Sequence, residues 1–135
     1  MNIHEITKLF DLEYFDGPLL SLFTDKDGNF LLFKWYDIDV NSHHWLVFNI
    51  EYEALMQYLN GGISEFDLIN DRSPKPFYLV EFSKNGQPNL LRTLSQQNII
   101  HEFEGLKTIF FDAEMCPNWN AVQHFFVVEK ASHTS

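Results

Sequence analysis

Apolar and aromatic residues fall in short runs separated by polar punctuation, and the spacing within the runs changes along the chain. Pro18 to Thr24 and Phe30 to Asp37 are two such runs, flanking Asp25-Lys26-Asp27-Gly28-Asn29. Gly28 and Asn29 offer the positive φ that a tight reversal needs, so the pair predicts a β-hairpin. A polar loop is expected from Ile38 to Ser42. His44 to Ile50, rich in Val, Phe and Trp, then reads as a third antiparallel strand that extends the hairpin into a meander.

The period then shifts. Tyr52, Leu55, Met56 and Leu59 recur at three- and four-residue steps, and Gly61-Gly62 ends the pattern, which predicts a helix over Glu51 to Asn60. Ser64 with Asp67 three residues on, ahead of Leu68 and Ile69, has the form of an N-cap for a second short helix. Phe77 to Ser83 and Pro88 to Leu94 flank Lys84-Asn85-Gly86-Gln87, in which Asn85-Gly86 is a strong hairpin signal. Leu106 to Phe111 has the look of a strand, while Ser95 to Glu104 and Trp119 to Val128 fit more than one element.

These elements predict an α+β domain: an antiparallel β-meander and hairpins, with one main helix and one or two short helices packed on the sheet. The length of 135 residues and the lack of a linker-like stretch predict one domain over residues 1 to 135. Leu20, Leu22, Leu32, Leu46, Phe48, Leu55, Met56 and Leu59 are the expected core.

Charge adds an asymmetry. The formal net charge is -10, and residues 1 to 70 hold 3 basic and 12 acidic side chains against 6 and 7 in the remainder. A surface of that sign repels phosphates and anionic lipid, so direct nucleic-acid or membrane binding is not expected and a basic protein becomes a conceivable partner. The aromatic total of 14 Phe, 5 Tyr and 3 Trp supplies bulky core material and leaves rings to be accounted for elsewhere. A single cysteine, Cys116, excludes an intrachain disulfide and a thiolate-rich zinc site. With no signal-like start or membrane-length apolar run, a cytoplasmic location is expected.

Catalytic templates fit poorly. Asp37-Ile38-Asp39 followed by His43-His44 is the one carboxylate and histidine cluster with ligand chemistry, although a solvated turn is the commoner meaning of such a stretch. In Asp25-Lys26-Asp27-Gly28-Asn29 the glycine comes at the fourth place and the closing glutamate of a calcium loop is missing. His101-Glu102 is not followed by a second histidine at zinc-protease spacing. Cys116 could meet His101 or His124 only through the fold, and among apolar neighbours it is expected as a buried small hydrophobe. No cofactor is implied by phosphate- or dinucleotide-binding glycine motifs, which do not occur.

Gly17-Pro-Leu-Leu-Ser-Leu-Phe23, Leu32-Phe-Lys-Trp-Tyr-Asp37-Ile-Asp39 and Trp45-Leu-Val-Phe48, taken in order, give the chain a form that resembles a family of small uncharacterised bacterial proteins. The likeness spans about residues 16 to 70. It implies a bacterial origin and a stand-alone domain, and brings no activity, cofactor or catalytic residue with it.

The function expected first is that of a noncatalytic protein-binding domain, such as an accessory, immunity or inhibitor protein, that engages a basic partner through Asp25, Asp27, Asp37 and Asp39. Two other classes compete with it. One is a metal-dependent hydrolase or nuclease-like enzyme built on Asp37, Asp39, His43 and His44. The other is a small-ligand binding domain in which the meander and helix enclose an aromatic pocket.

Overall fold

The computed structural model describes residues 3–39, 42–70, 76–82, 86–95 and 100–133. The fold is α+β. Six antiparallel strands pair in chain order: β1 (Ile6–Tyr14), β2 (Pro18–Asp25), β3 (Phe30–Asp39), β4 (Ser42–Ile50), β5 (Phe77–Phe82) and β6 (Pro88–Leu94). Among the described residues three helices accompany them: α1 (Tyr52–Leu59), α2 (Glu65–Ile69) and α3 (Trp119–His133). Short 3-10 turns span Ile3–Glu5, Ile100–Thr108 and Ala113–Met115.

The local chemistry explains most of these boundaries. Between β2 and β3 the Asp25 carboxylate accepts hydrogen bonds from the backbone N–H groups of Asp27 and Asn29 and from Asn29 Nδ2, at 2.9, 2.9 and 3.1 Å. Gly28, at φ 83°, makes the left-handed step that a side chain would resist. Helix α1 ends where the Gly62 N–H donates back to the Gln57 carbonyl at 2.8 Å. Helix α2 opens with a reciprocal capping box, in which Ser64 Oγ accepts from the Asp67 N–H at 3.2 Å and Asp67 Oδ2 accepts from the Ser64 N–H at 3.1 Å.

Alternation along the strands divides the sheet into two apolar faces. Leu20, Leu22, Leu32, Leu46 and Phe48 join Leu55, Tyr58, Leu59, Phe66, Val122 and Phe126 in the core beneath the helices. Of the expected core residues, Met56 alone is half-buried and packs at that core's margin. Phe23, Leu31, Phe33, Trp45, Val47 and Val80 form a second cluster on the opposite face. That face curls inward, since β6 comes round to touch the Ile3–Glu5 turn ahead of β1 while the two edge strands stay unpaired with each other. Register shifts in β1 between Lys8 and Phe10 and again between Asp11 and Tyr14 bend that edge as β-bulges do.

Several expectations are corrected. β1 was not among the expected strands, because its bulges break the two-residue period. In place of a polar loop from Ile38 to Ser42, β3 runs on to Asp39 and β4 starts at Ser42, with Ile38 paired to His43 and Asp39 to Ser42. Residues 40 and 41 lie outside the described residues, as do Ser83, Lys84 and Asn85 of the second hairpin, whose β5 and β6 pair as expected. Leu106 to Phe111 is no strand. Its first part closes the 3-10 turn, the Ile109 carbonyl accepts from the Glu65 N–H at 2.8 Å, and Phe111 packs against Tyr58 and Trp119. These contacts hold the segment against the helices. Among the described residues the longest helix is α3, at 15 residues, and not the eight-residue α1.

Candidate binding cavity

The curled face holds a half-open cavity of about 710 Å³. The strands line it with ring side chains: Phe23, Phe33, Trp35, Trp45 and Phe82. Phe33 and Trp35 alternate with the helix-side Leu32 and Lys34 along β3, and Trp45 stands opposite Trp35 across the ladder. Trp45 meets Phe82 edge to face at 88° with centroids 6.4 Å apart, and Phe23 stacks on Phe33 at 4.1 Å. Leu19 and Pro18 of β2 complete the apolar lining, and the β1–β2 turn contributes Phe15, Asp16 and Gly17 to its rim. Phe15 is 72% exposed, a large cost for a Phe with no other surface to meet. The turn is tight: the Phe15 N–H donates to the Gly17 carbonyl at 3.0 Å, with Asp16 at φ 58° and Gly17 at φ 142°.

Polar groups reach the cavity at few points. On the β1–β2 wall, Asp11 Oδ1 accepts from both Lys8 Nζ and Ser21 Oγ at 2.7 Å, so the Lys8 charge is countered where it lies. His43 lines the rim from β4. Successive strand side chains leave on opposite faces, so His44 points away from it and the two histidines do not converge. Asp37 pairs with His44 across the ladder; the side chains of Asp37 and Asp39 lie outside the described residues. Among the described residues no group of three or more His, Cys, Asp or Glu side chains is placed to hold a metal ion.

The candidate interface carboxylates do not form one patch. Asp25 and Asp27 sit at the β2–β3 turn, beside Phe30, whereas Asp37 and Asp39 end β3. At about 3.3 Å per residue the two pairs are separated by roughly 23 Å. Asp25 is also occupied by its own turn. Against a desolvation effect of opposite sign, hydrogen bonds from Asn29, Asp27 and Gly28 hold its carboxyl below the usual value.

A second constellation lies beneath the helices. Lys34 Nζ is 2.9 Å from Glu65 Oε2 and 3.9 Å from Glu13 Oε1, while the Tyr58 hydroxyl donates to Glu65 Oε1 at 3.3 Å. Burial, reinforced by a hydrogen bond and charge repulsion from Glu65 and opposed by Lys34, pushes the Glu13 carboxyl up to about 7. Burial and the two carboxylates push the Tyr58 phenol up as well. With Glu65 2% and Tyr58 0% exposed, this group ties β1, β3, α1 and α2 together out of reach of the cavity. Cys116 is buried, its Sγ 3.5 Å from the Asp11 carbonyl, and burial raises its thiol against an opposing hydrogen bond from Asn118.

No protein-family model, curated protein or solved structure matches this chain. No helix among the described residues is long and apolar enough to cross a membrane.

The cavity was open to sequence reasoning only as a general aromatic pocket between meander and helix. The cavity lies on the face away from the described helices. The signal for it was present: β2, β3 and β4 are apolar at both alternating sets of positions, so a second face also had to be buried.

Proposed function

We propose that the chain is a noncatalytic binding domain whose site is the cavity on the concave face, and that it holds one small, largely apolar molecule there. The observation that carries this is the cavity itself. Its volume of about 710 Å³ falls in the range of small-molecule sites, roughly 300–1,000 Å³, and its lining combines many rings with a few polar groups. Preformed strand walls favour binding because little side-chain freedom is lost when the ligand enters.

Titration with the neutral dye Nile red tests it. A single saturable site per chain is expected, read by dye emission and by quenching of Trp35 and Trp45. Leu19→Trp, which fills the cavity from its half-buried wall, should abolish the signal while leaving the circular dichroism of the fold intact. Non-saturating dye binding, unchanged in Leu19→Trp, rejects the proposal.

A protein-binding role on the acidic half has one supporting observation, the excess of 12 acidic over 3 basic side chains in residues 1 to 70. The separation of Asp25 and Asp27 from Asp37 and Asp39 divides that charge between two ends of the sheet, and a basic partner would engage one end at a time. Salt-dependent association with a basic protein, lost in Asp37→Asn/Asp39→Asn but kept in Asp27→Asn, would favour the strand end as that surface.

A further inference from the structure

We propose that the cavity is selective for an organic cation, a ring-bearing quaternary or tertiary ammonium, over neutral and anionic molecules of the same shape. This deepens the binding proposal above and rests on the cavity being the site. Three observations carry it.

The rings come first. Phe23, Phe33, Trp35, Trp45 and Phe82 line one volume, in which Trp45 and Phe82 meet edge to face at 88° and Phe23 stacks on Phe33. Aromatic faces carry negative electrostatic potential, and indole carries the most, so a cation desolvated among them recovers part of its lost hydration. A hydrocarbon gains only burial.

The charge balance at the lining comes second. The cationic side chain there, Lys8, has its ammonium 2.7 Å from Asp11 Oδ1, which Ser21 also engages, so an incoming anion would compete with a formed ion pair. Asp16 at the rim is exposed. His43 is the other titratable group at the rim, and Glu81 and His44 belong to the opposite side of β5 and β4.

The third is the surrounding field. Apart from Phe82, the cavity is built within residues 8 to 45, in the half of the chain with 12 acidic and 3 basic side chains. β3 continues from Trp35 to Asp37 and Asp39 at the rim end of the sheet. A concave, low-dielectric site focuses that field, drawing cations toward the mouth and repelling anions.

A matched trio tests this by displacement of bound Nile red: benzyltrimethylammonium, its uncharged carbon counterpart neopentylbenzene, and phenylmethanesulfonate. All share the benzyl group and a tetrahedral head. The ammonium is expected to displace the dye at a concentration about threefold or more below that of the hydrocarbon, although the hydrocarbon is the more hydrophobic. The sulfonate should be weaker than the ammonium by on the order of tenfold, with the gap closing as salt is raised. Asp16→Asn should reduce the ammonium's advantage over the sulfonate by about twofold without loss of fold, because asparagine also tolerates the positive φ at that position. Hydrocarbon equal to or better than the ammonium, sulfonate best of the three, or dye displaced by none of them overturns cation selectivity and spares the cavity. Failure of Nile red itself to bind overturns the cavity proposal and this one with it.

Discussion

The two faces of the sheet are made from the same strands, and often from adjacent residues, yet they end up packed differently. On β3, Leu32 and Lys34 face the helices while Leu31, Phe33 and Trp35 face the concave side. The helix-covered face is filled at the sheet: Leu22, Leu32, Leu46 and Leu55 are each 0% exposed, the buried charges there are paired within the protein, and the space on that side is a more open groove of about 1140 Å³ between α1 and α3. No helix of the described residues packs on the concave face. Curling buries Leu31, Phe33, Val47 and Val80, but toward the β1–β2 turn the side chains leave a half-open cavity of about 710 Å³. Covering an apolar face with helices thus makes a core, whereas covering it by curvature alone leaves room wherever the radius exceeds what side chains can span. A ligand site needs that second solution, since a filled core has nothing to offer a guest.

The sharpest way to break this comparison is to truncate both faces. Leu46→Ala and Leu55→Ala remove fully buried side chains from the helix-covered core and should each cost about 2–5 kcal/mol in denaturant unfolding. Trp35→Ala, at the half-open cavity, should cost less than either and should weaken Nile red binding instead. Equal losses of stability at the three positions would show that the concave face is as filled as the other.

Protonation at the helix side should show the next largest effect. Glu13 ordinarily titrates near 4.5 and is pushed up to about 7 in the folded chain. Between these values the folded state binds more protons than the unfolded one, so this group makes stability fall as pH rises through that window and adds no further change above it. Glu13→Gln should remove that component. Denaturant midpoints at about pH 5 and pH 8 should therefore converge in the variant relative to the parent. A midpoint difference unchanged by Glu13→Gln would mean that the proton is held elsewhere in the network.

At the β2–β3 turn the effect is smaller. Asp25→Ala deletes the acceptor of three hydrogen bonds at an exposed site and should cost about 1 kcal/mol, whereas Asp27→Asn should stay within about 0.5. Thermal unfolding of the two single variants separates a turn-forming aspartate from one that only adds charge. Equal behaviour would return both to the role of surface charge.

Smallest of all should be the stability change in Leu19→Trp. The extra ring enters space that is already empty, so unfolding should shift by less than about 1 kcal/mol while dye binding disappears. A large destabilisation would place Leu19 in a filled region and contradict the contrast between the faces.

The amino-acid sequence by itself determined the elements whose signals are local. Gly28 and Asn29 with Asp25 set the first hairpin, Ser64 and Asp67 set the start of α2, and the three- and four-residue spacing of Leu55, Met56 and Leu59 set α1, because turns, caps and helical faces are decided by residues within a few positions of one another. Apolar alternation likewise located β2, β3 and β4, and seven of the eight expected core residues are buried. Only the tertiary structure decided the rest. β1 was hidden by bulges that its neighbour β2 compensates, and Leu106 to Phe111 was kept from strand pairing by contacts to α2 and α3 formed far along the chain. The cavity depends on curvature, the sum of small twists and bulges over six strands. Lys34 reads as a solvated strand residue until Glu65 and Glu13 arrive beside it, from 31 residues downstream and from the edge strand two places away in the sheet. Sequence period tells which residues share a face; what each face meets is settled by how the sheet bends and which segments return to cover it.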